Sequence, residues 1–159
     1  MPDVKTIKDK IYSTFSSIAS SIGYSPVHGK IIAVLLVNGG EASLQDLAKE
    51  TRYSPSMVSL SLDLLEVLGI VRKRRKTGDR NLYIVLQSDL LECLKNAVVI
   101  KVKKSIKESL AEFEENKKEI LKLSGTERER LSKTIEILEK EIRRLEKYID
   151  ILSNIKLPK

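Results

Sequence analysis

Residues 42–86 read ASLQDLAKETRYSPSMVSLSLDLLEVLGIVRKRRKTGDRNLYIVL, and this stretch decides the fold. Ser43 is a natural N-cap for a short helix with apolar residues at helical spacing. Residues 51–53 are expected to form a turn. Ser54-Pro55 combines an N-cap with a proline at the first helical position, which predicts a second helix ending near Leu68.

A basic hairpin is predicted after that second helix. Gly69 ends the helix, residues 70–76 form one strand, and residues 77–79 supply the turn. The β-branched and aromatic residues of 81–86 predict the returning strand. Residues 71–80 hold six basic side chains and one acidic side chain. Helix, turn, helix and basic hairpin in this order indicate a winged helix-turn-helix, whose second helix enters the major groove of DNA.

Two helices are predicted before this stretch. The first covers residues 4–22, and its apolar face consists of Val4, Ile7, Ile11, Phe15, Ile18 and Ile22. This face either caps the domain core or contacts a second subunit. The next helix runs from Ser25-Pro26 to about Asn38 and is apolar nearly all round, as expected of a central helix. We expect His28 in its first turn to be a packed or capping residue, and residues 41–42 to add a short strand.

Two long helices are predicted at the C-terminal end. The first runs from an N-cap at Ser88 to about residue 123, and a capping box at residues 126–129 starts the second, which ends near residue 155. A heptad pattern with Ile at a and Leu at d consists of Leu131, Ile135, Leu138, Ile142, Leu145, Ile149 and Leu152.

The charges beside this pattern argue against a simple two-stranded zipper. A parallel homodimer would oppose Glu141 and Glu146, and an antiparallel one would bring Glu139 and Glu146 together. We therefore expect an antiparallel helical hairpin whose broad apolar face docks onto a second copy. The predicted fold class is mainly α: a winged helix-turn-helix domain in residues 1–87, followed by a long dimerisation hairpin in residues 88–159.

Composition narrows the function further. No apolar run approaches the roughly 18 residues needed to span a bilayer, and the N-terminus lacks a signal-peptide pattern, so a cytoplasmic protein is expected. One cysteine and one histidine cannot build the common metal or thiol sites, and no phosphate-binding loop is present. We expect neither an enzyme nor a cofactor. Cys93 lies in an apolar pattern, which favours a buried structural thiol over a redox switch.

The net charge of +7 favours a polyanionic partner, and double-stranded DNA fits the predicted hairpin. The second helix presents few residues that make bidentate base contacts, so hydroxyl hydrogen bonds, contacts with thymine methyl groups and DNA shape should contribute more. We expect Ser54 to act mainly as a cap. The candidate DNA-binding residues are Gln45, Arg52, Ser54, Ser56, Met57, Ser59, Leu60, Arg72, Arg74, Arg75, Lys76 and Arg80.

The motif LQDLAKET.YSPSMVS..LDLLEVLGIVRK followed by KTGDRNLYIV resembles the MarR-type winged helix, and GYSPVHGKIIAVLLV ahead of it, together with GDRNLYI in the hairpin, resembles the GbsR branch. The resemblance covers residues 24–90. It implies a homodimeric transcriptional regulator, mostly a repressor, that binds inverted repeats and dimerises through helices flanking the winged domain. A small-molecule effector of unidentified chemistry is also implied.

In this family the basic hairpin, here residues 70–86, is called the wing, and the second helix of the helix-turn-helix is called the recognition helix. The resemblance assigns Arg80 as the wing arginine, and it assigns Ser56 and Ser59 to recognition-helix positions. Arg52 departs from the family pattern, which commonly has glycine at that turn position. The alternative to a DNA-binding regulator is a winged-helix protein-interaction or scaffold module that works through its C-terminal helices.

Overall fold

The computed structural model describes residues 1–87 and 89–159, and the N-cap expected at Ser88 lies outside these residues. The helices are α1 (Val4–Ser21), α2 (Pro26–Val37), α3 (Leu44–Thr51), α4 (Pro55–Val67), α5 (Leu90–Ile120) and α6 (Gly125–Ser153). The strands are β1 (Glu41–Ser43), β2 (Val71–Arg75) and β3 (Leu82–Leu86). This order of elements confirms the predicted fold class, a mainly α winged helix-turn-helix followed by a long helical hairpin.

The chain divides into two compact units, residues 1–93 and 94–159. The first unit holds α1 to α4, the three strands and the first turn of α5. The expected boundary was between residues 87 and 88. The described residues contain no helix that is long and apolar enough to cross a membrane.

The core of the first unit surrounds α2. Ile31, Val34 and Leu35 of this helix are fully buried, and so are Val58 and Leu62 of α4. The near-continuous apolar sequence of α2 follows from this position, because neighbouring elements cover it on several sides.

A three-stranded antiparallel sheet closes the first unit, in the order β1-β3-β2. Ala42 of β1 pairs with Ile84 of β3, and Lys73 of β2 pairs with the same Ile84 on the other side. Ile84 is fully buried, so this row of the sheet faces the core. The short strand expected at residues 41–42 is therefore confirmed, and it forms one edge of the wing sheet.

Helix α1 packs against α2 at very short range. A Cβ atom built on Gly29 would lie 2.0 Å from the carbonyl oxygen of Phe15, so only glycine fits at this crossing. Tyr12 fixes the same helix to α3, since its hydroxyl donates a hydrogen bond to Glu50 Oε2 at 2.8 Å. Burial raises the pKa of Tyr12 to about 12, with the Glu50 hydrogen bond as the second cause.

The apolar face predicted for α1 is only partly covered within the chain. Val4 is 68%, Ile7 45% and Ile18 44% exposed, whereas Tyr12 and Ala19 are buried. The helix thus caps the core with its Tyr12 side and leaves much of its isoleucine side open.

Side-chain caps fix several helix starts at the predicted residues. Ser43 Oγ accepts a hydrogen bond from the Asp46 amide at 3.1 Å, and Ser54 Oγ accepts one from the Met57 amide at 3.2 Å. At α2, His28 Nδ1 accepts a hydrogen bond from the Ser25 amide at 3.2 Å, which confirms His28 as a capping residue.

The second unit is an antiparallel pair formed by most of α5 and α6. Val99 and Ile106 of α5 form a buried cluster with Ile149 of α6, and Ile142 and Leu152 pack against it. The Lys117 ammonium also pairs with the Glu139 carboxylate across the two helices.

The start of α6 differs from the prediction. The capping box expected at residues 126–129 is wrong, because α6 already begins at Gly125 with Ser124 as its N-cap, and no side-chain cap hydrogen bond forms there. Residues 126–129 therefore belong to the first turns of the helix.

Candidate nucleic-acid interface

The turn between α3 and α4 determines how the second helix is presented. Thr51 is buried and belongs to α3, and its hydroxyl donates a hydrogen bond to the Leu47 carbonyl at 2.6 Å. Arg52 then takes a left-handed conformation with φ 63°, the only positive φ of a non-glycine among the described residues. This conformation, which glycine adopts without strain, lets the chain reverse into Ser54 and Pro55.

The exposed side of α4 carries the predicted recognition residues. Ser56, Met57, Ser59 and Leu60 are all exposed on the N-terminal half of this helix. The Ser54 hydroxyl caps the helix, so one of its acceptor sites is already used. The charged residues of α4 are Asp63 and Glu66, and no lysine or arginine lies within the helix. On its own, α4 is therefore an acidic helix.

Lys73 of the wing balances this acidity. Its ammonium lies 2.5 Å from Asp63 Oδ1 and 3.8 Å from Glu66 Oε1. The hydrogen bond to Asp63 raises the pKa of Lys73 above its ordinary value. The backbone amide of Lys73 also donates a hydrogen bond to Glu66 at 3.4 Å. These contacts attach the wing to the side of α4 and mask part of its negative charge.

The tip of the wing is closed by hydrogen bonds from one aspartate. Asp79 accepts the Asn81 amide at 2.9 Å and the Tyr83 hydroxyl at 2.5 Å. The Tyr83 bond lowers the pKa of Asp79 and raises that of Tyr83. The Lys76 ammonium lies 3.9 Å from the centre of the Tyr83 ring, a cation–π contact. The turn is therefore shaped by specific contacts in addition to its glycine.

Two of the predicted wing cations are already paired within the chain. Arg74 Nη2 lies 2.8 Å from Glu41 Oε1, and Lys76 Nζ lies 3.5 Å from the same oxygen. No pattern in the sequence predicts this role for Glu41. The only available signal was its place in a short strand, and the register of β1 on β3 was needed to bring Glu41 to the wing.

The remaining wing arginines carry uncompensated charge. Arg72, Arg75 and Arg80 are exposed, and no carboxylate of the described residues forms an ion pair with them. Arg75 Nη1 donates a hydrogen bond to the Arg80 carbonyl at 3.3 Å, which links the end of β2 to the turn that precedes β3. Gln45 and Arg52 are exposed as well. Beside the acidic helix, the wing thus presents three guanidinium groups without a carboxylate partner in the described part of the chain.

Cys93 lies outside this surface. It is buried, and its thiol donates a hydrogen bond to the Gly69 carbonyl at 3.4 Å. Burial raises the pKa of the thiol, which disfavours the reactive thiolate. Its surroundings are those of a structural thiol.

Comparison with known proteins found solved structures that are similar to this chain. A crystal structure of a transcriptional regulator superposes with a TM-score of 0.61 at 15% sequence identity, covering 94% of this chain and 99% of that one. AbsC, a MarR family transcriptional regulator from Streptomyces coelicolor, gives a TM-score of 0.44 at 18% identity over 86% of this chain and 88% of its own. A MarR mutant from E. coli complexed with operator DNA gives 0.41 at 16% identity over 59% and 65%. No protein-family model matches the sequence, and no curated protein does.

The first of these likenesses concerns the fold. This chain, a winged helix-turn-helix with long flanking helices, shares its fold with that transcriptional regulator over almost the whole length of both chains.

Proposed function

We propose that this protein is a sequence-specific DNA-binding transcriptional regulator of the MarR type that works as a homodimer and represses its targets. Membership of the GbsR-like branch is part of the proposal and rests on the resemblance of residues 23–37 and 78–84. The regulator binds double-stranded DNA and requires no cofactor. A small-molecule effector of unidentified chemistry remains part of this proposal by the same resemblance.

The observation that carries the proposal is the set of exposed guanidinium groups on the wing that have no carboxylate partner in the part of the chain that the structure describes. Arg72, Arg75 and Arg80 are exposed and have no carboxylate partner among the described residues, while neighbouring Arg74 and Lys76 are paired with Glu41. Unpaired arginines on a hairpin next to an exposed helix N-terminus suit phosphate contacts and insertion into a minor groove.

Homodimerisation is supported by the exposed apolar side chains of the second unit. Ile137, Tyr148 and Ile151 are each more than half exposed, and Leu138 and Leu145 are also exposed. Side chains of this size on one compact unit are typical of a surface that a partner covers. Of the predicted dimerisation residues, Ile135 and Ile149 are buried within the chain, so we assign the contact to Leu131, Leu138 and Leu145 and their exposed neighbours.

The decisive experiment measures binding to duplex DNA selected from a random pool, across a salt series from 50 to 200 mM. We expect affinity to fall steeply with salt, because each phosphate contact releases counterions. The triple variant R72A/R75A/R80A should bind far more weakly and give a shallower salt slope. The matched control K118A/K122A/R130A removes the same charge from exposed positions of the second unit and should change neither. Absence of binding at low salt, or equal loss in both variants, refutes the proposal.

A second candidate function is a protein-interaction module working through the C-terminal helices. The acidic character of α4 and the exposed apolar side chains of the second unit favour it. Substituting Arg74, Arg75 and Arg80 by alanine should leave the function intact on this reading and abolish it if the protein acts through DNA.

A further inference from the structure

One stripe of the exposed surface of α4 is apolar, beside the serines and acids of the same helix. Met57 is 45% exposed, Leu60 69% and Val67 78%, and Leu64 lies between them on the same side of the helix. Exposed leucine and valine side chains do not gain the free energy that burial of their apolar surface would give. This apolar stripe is therefore suited to contact apolar groups of a binding partner.

The chemistry of the major groove restricts which groups these can be. Guanine is usually recognised by arginine or lysine and adenine by asparagine or glutamine, and α4 contains none of these four residue types. The apolar group that bases present in the major groove is the 5-methyl group of thymine. An exposed apolar helix face that enters the groove can thus recognise thymine by burying its methyl group.

The charges beside α4 favour DNA as the occupant over an apolar protein surface. Lys73 forms ion pairs with Asp63 and Glu66 on one side of the helix. The same wing carries the exposed guanidinium groups that have no carboxylate partner among the described residues, those of Arg72, Arg75 and Arg80. A partner that matches both features is strongly anionic and also carries apolar groups. A thymine-containing duplex has both properties.

We infer that Met57 and Leu60 determine sequence specificity by contacting thymine methyl groups in the major groove, so that each half-site needs thymine at the positions facing these side chains. The inference rests on the proposed DNA-binding function and deepens it. Val67 lies seven residues beyond Leu60, about 10 Å further along the helix. It belongs to the C-terminal end of α4, so it should not reach the bases.

The test replaces thymine by deoxyuridine, one position at a time, in a duplex selected from a random pool. This change removes a methyl group and leaves the base-pairing groups intact. With the wild-type protein, one or two positions in each half-site should weaken binding by about fourfold each, as expected for losing the burial of one methyl group. The same positions should tolerate 5-methylcytosine better than cytosine.

Variants connect the effect to the side chains. L60A should lower the affinity for the thymine duplex and abolish the penalty of deoxyuridine at its position, and M57A should do so at a second position. V67A serves as the matched control and should keep the full penalty. All three sites are exposed, and circular dichroism verifies that the variants fold.

Binding that is indifferent to deoxyuridine at every position overturns the inference while leaving the proposed function intact. A penalty that survives in both L60A and M57A overturns it as well, because DNA shape would then explain the preference. A protein that binds no duplex at low salt refutes the proposed function and this inference with it.

Discussion

The ammonium of Lys73 on the wing lies 2.5 Å from a carboxylate oxygen of Asp63 on α4, and this ion pair joins the two elements of the candidate DNA interface. Asp63 is largely exposed, with 61% of its side chain accessible, so the pair contributes little to the stability of the fold. Its more important effect is electrostatic. In the proposed DNA complex, Lys73 offsets a negative charge close to the phosphate groups.

Removing that charge should therefore strengthen DNA binding. We expect D63A to bind duplex DNA about two- to fivefold more tightly at low salt, the range that exposed charge pairs typically give. K73M should bind more weakly by a similar factor. The gain of D63A should shrink as salt is raised. The control E112A removes an exposed acid from α5 and should leave the affinity unchanged. Unaltered binding by both D63A and K73M contradicts the masking role of Lys73.

The crossing of α1 and α2 should tolerate no side chain at residue 29. A Cβ atom there would lie 2.0 Å from the Phe15 carbonyl oxygen, and this obstacle is backbone, which cannot rotate away. Alanine improves helix propensity by about 1 kcal/mol, but overpacking of this kind costs about 1–3 kcal/mol or more. We expect a net lower unfolding midpoint for G29A in denaturant titrations. S17A, at an exposed position of α1, should stay within about 0.5 kcal/mol of the wild type. A midpoint of G29A at or above that of the wild type would show that the helices separate easily.

The left-handed Arg52 should separate stability from DNA binding. A side chain in this conformation costs about 1–2 kcal/mol of strain, which glycine does not have. Glycine recovers only part of this free energy, because it loses more conformational freedom than arginine on folding. R52G should therefore raise the free energy of unfolding by about 1 kcal/mol. If Arg52 contacts a phosphate, the same variant lowers the salt slope of DNA binding by about one for each protomer of the bound dimer. R52K keeps both the strain and the charge, so its stability and its slope should match the wild type. A less stable R52G contradicts the first expectation, and an unchanged slope contradicts the second.

The cap formed by His28 should make the first unit less stable in acid. Burial lowers the pKa of His28 below its ordinary 6.5, and Nδ1 must stay unprotonated to accept the Ser25 amide. Below about pH 6.5, His28 is protonated in the unfolded chain but stays largely neutral in the folded chain. The free energy of unfolding therefore falls as the pH decreases. Thermal unfolding between pH 7.5 and 5.0 measures this. In H28Q the glutamine oxygen keeps the hydrogen bond without titrating, so the decline should be smaller. An equal decline in both proteins would assign the pH dependence to other groups.

Much of this fold follows from local signals in the sequence. Ser43 and Ser54 cap helices where predicted, because a serine hydroxyl satisfies a free amide whatever the rest of the chain does. Gly69 ends α4 with a positive φ for an equally local reason. Such rules need only a few neighbouring residues, so the order and approximate bounds of the elements could be derived.

The contacts that define the site depend on register and could not be derived. Glu41 neutralises Arg74 because β1 pairs with β3 in one particular alignment, and no local pattern specifies that alignment. Helix periodicity likewise identifies an apolar face of a helix, but it does not identify the element that packs against that face. Ile149 is covered by α5 of its own chain, whereas Leu138 is exposed.

That division of the heptad residues leads to a test of homodimerisation. Leu138 and Ile151 are 42% and 63% exposed within the second unit. The variant L138E/I151E should leave the hairpin folded, since its buried cluster is untouched, but should turn a dimer into a monomer because burying a glutamate without a partner is costly. Sedimentation equilibrium measures the mass, and the far-ultraviolet circular dichroism spectrum verifies the helices. The control S132E/T134E adds the same charge at exposed polar positions and should remain dimeric. A dimeric L138E/I151E would move the contact away from this face, and α1 with its exposed Ile7 and Ile18 would be the next surface to examine.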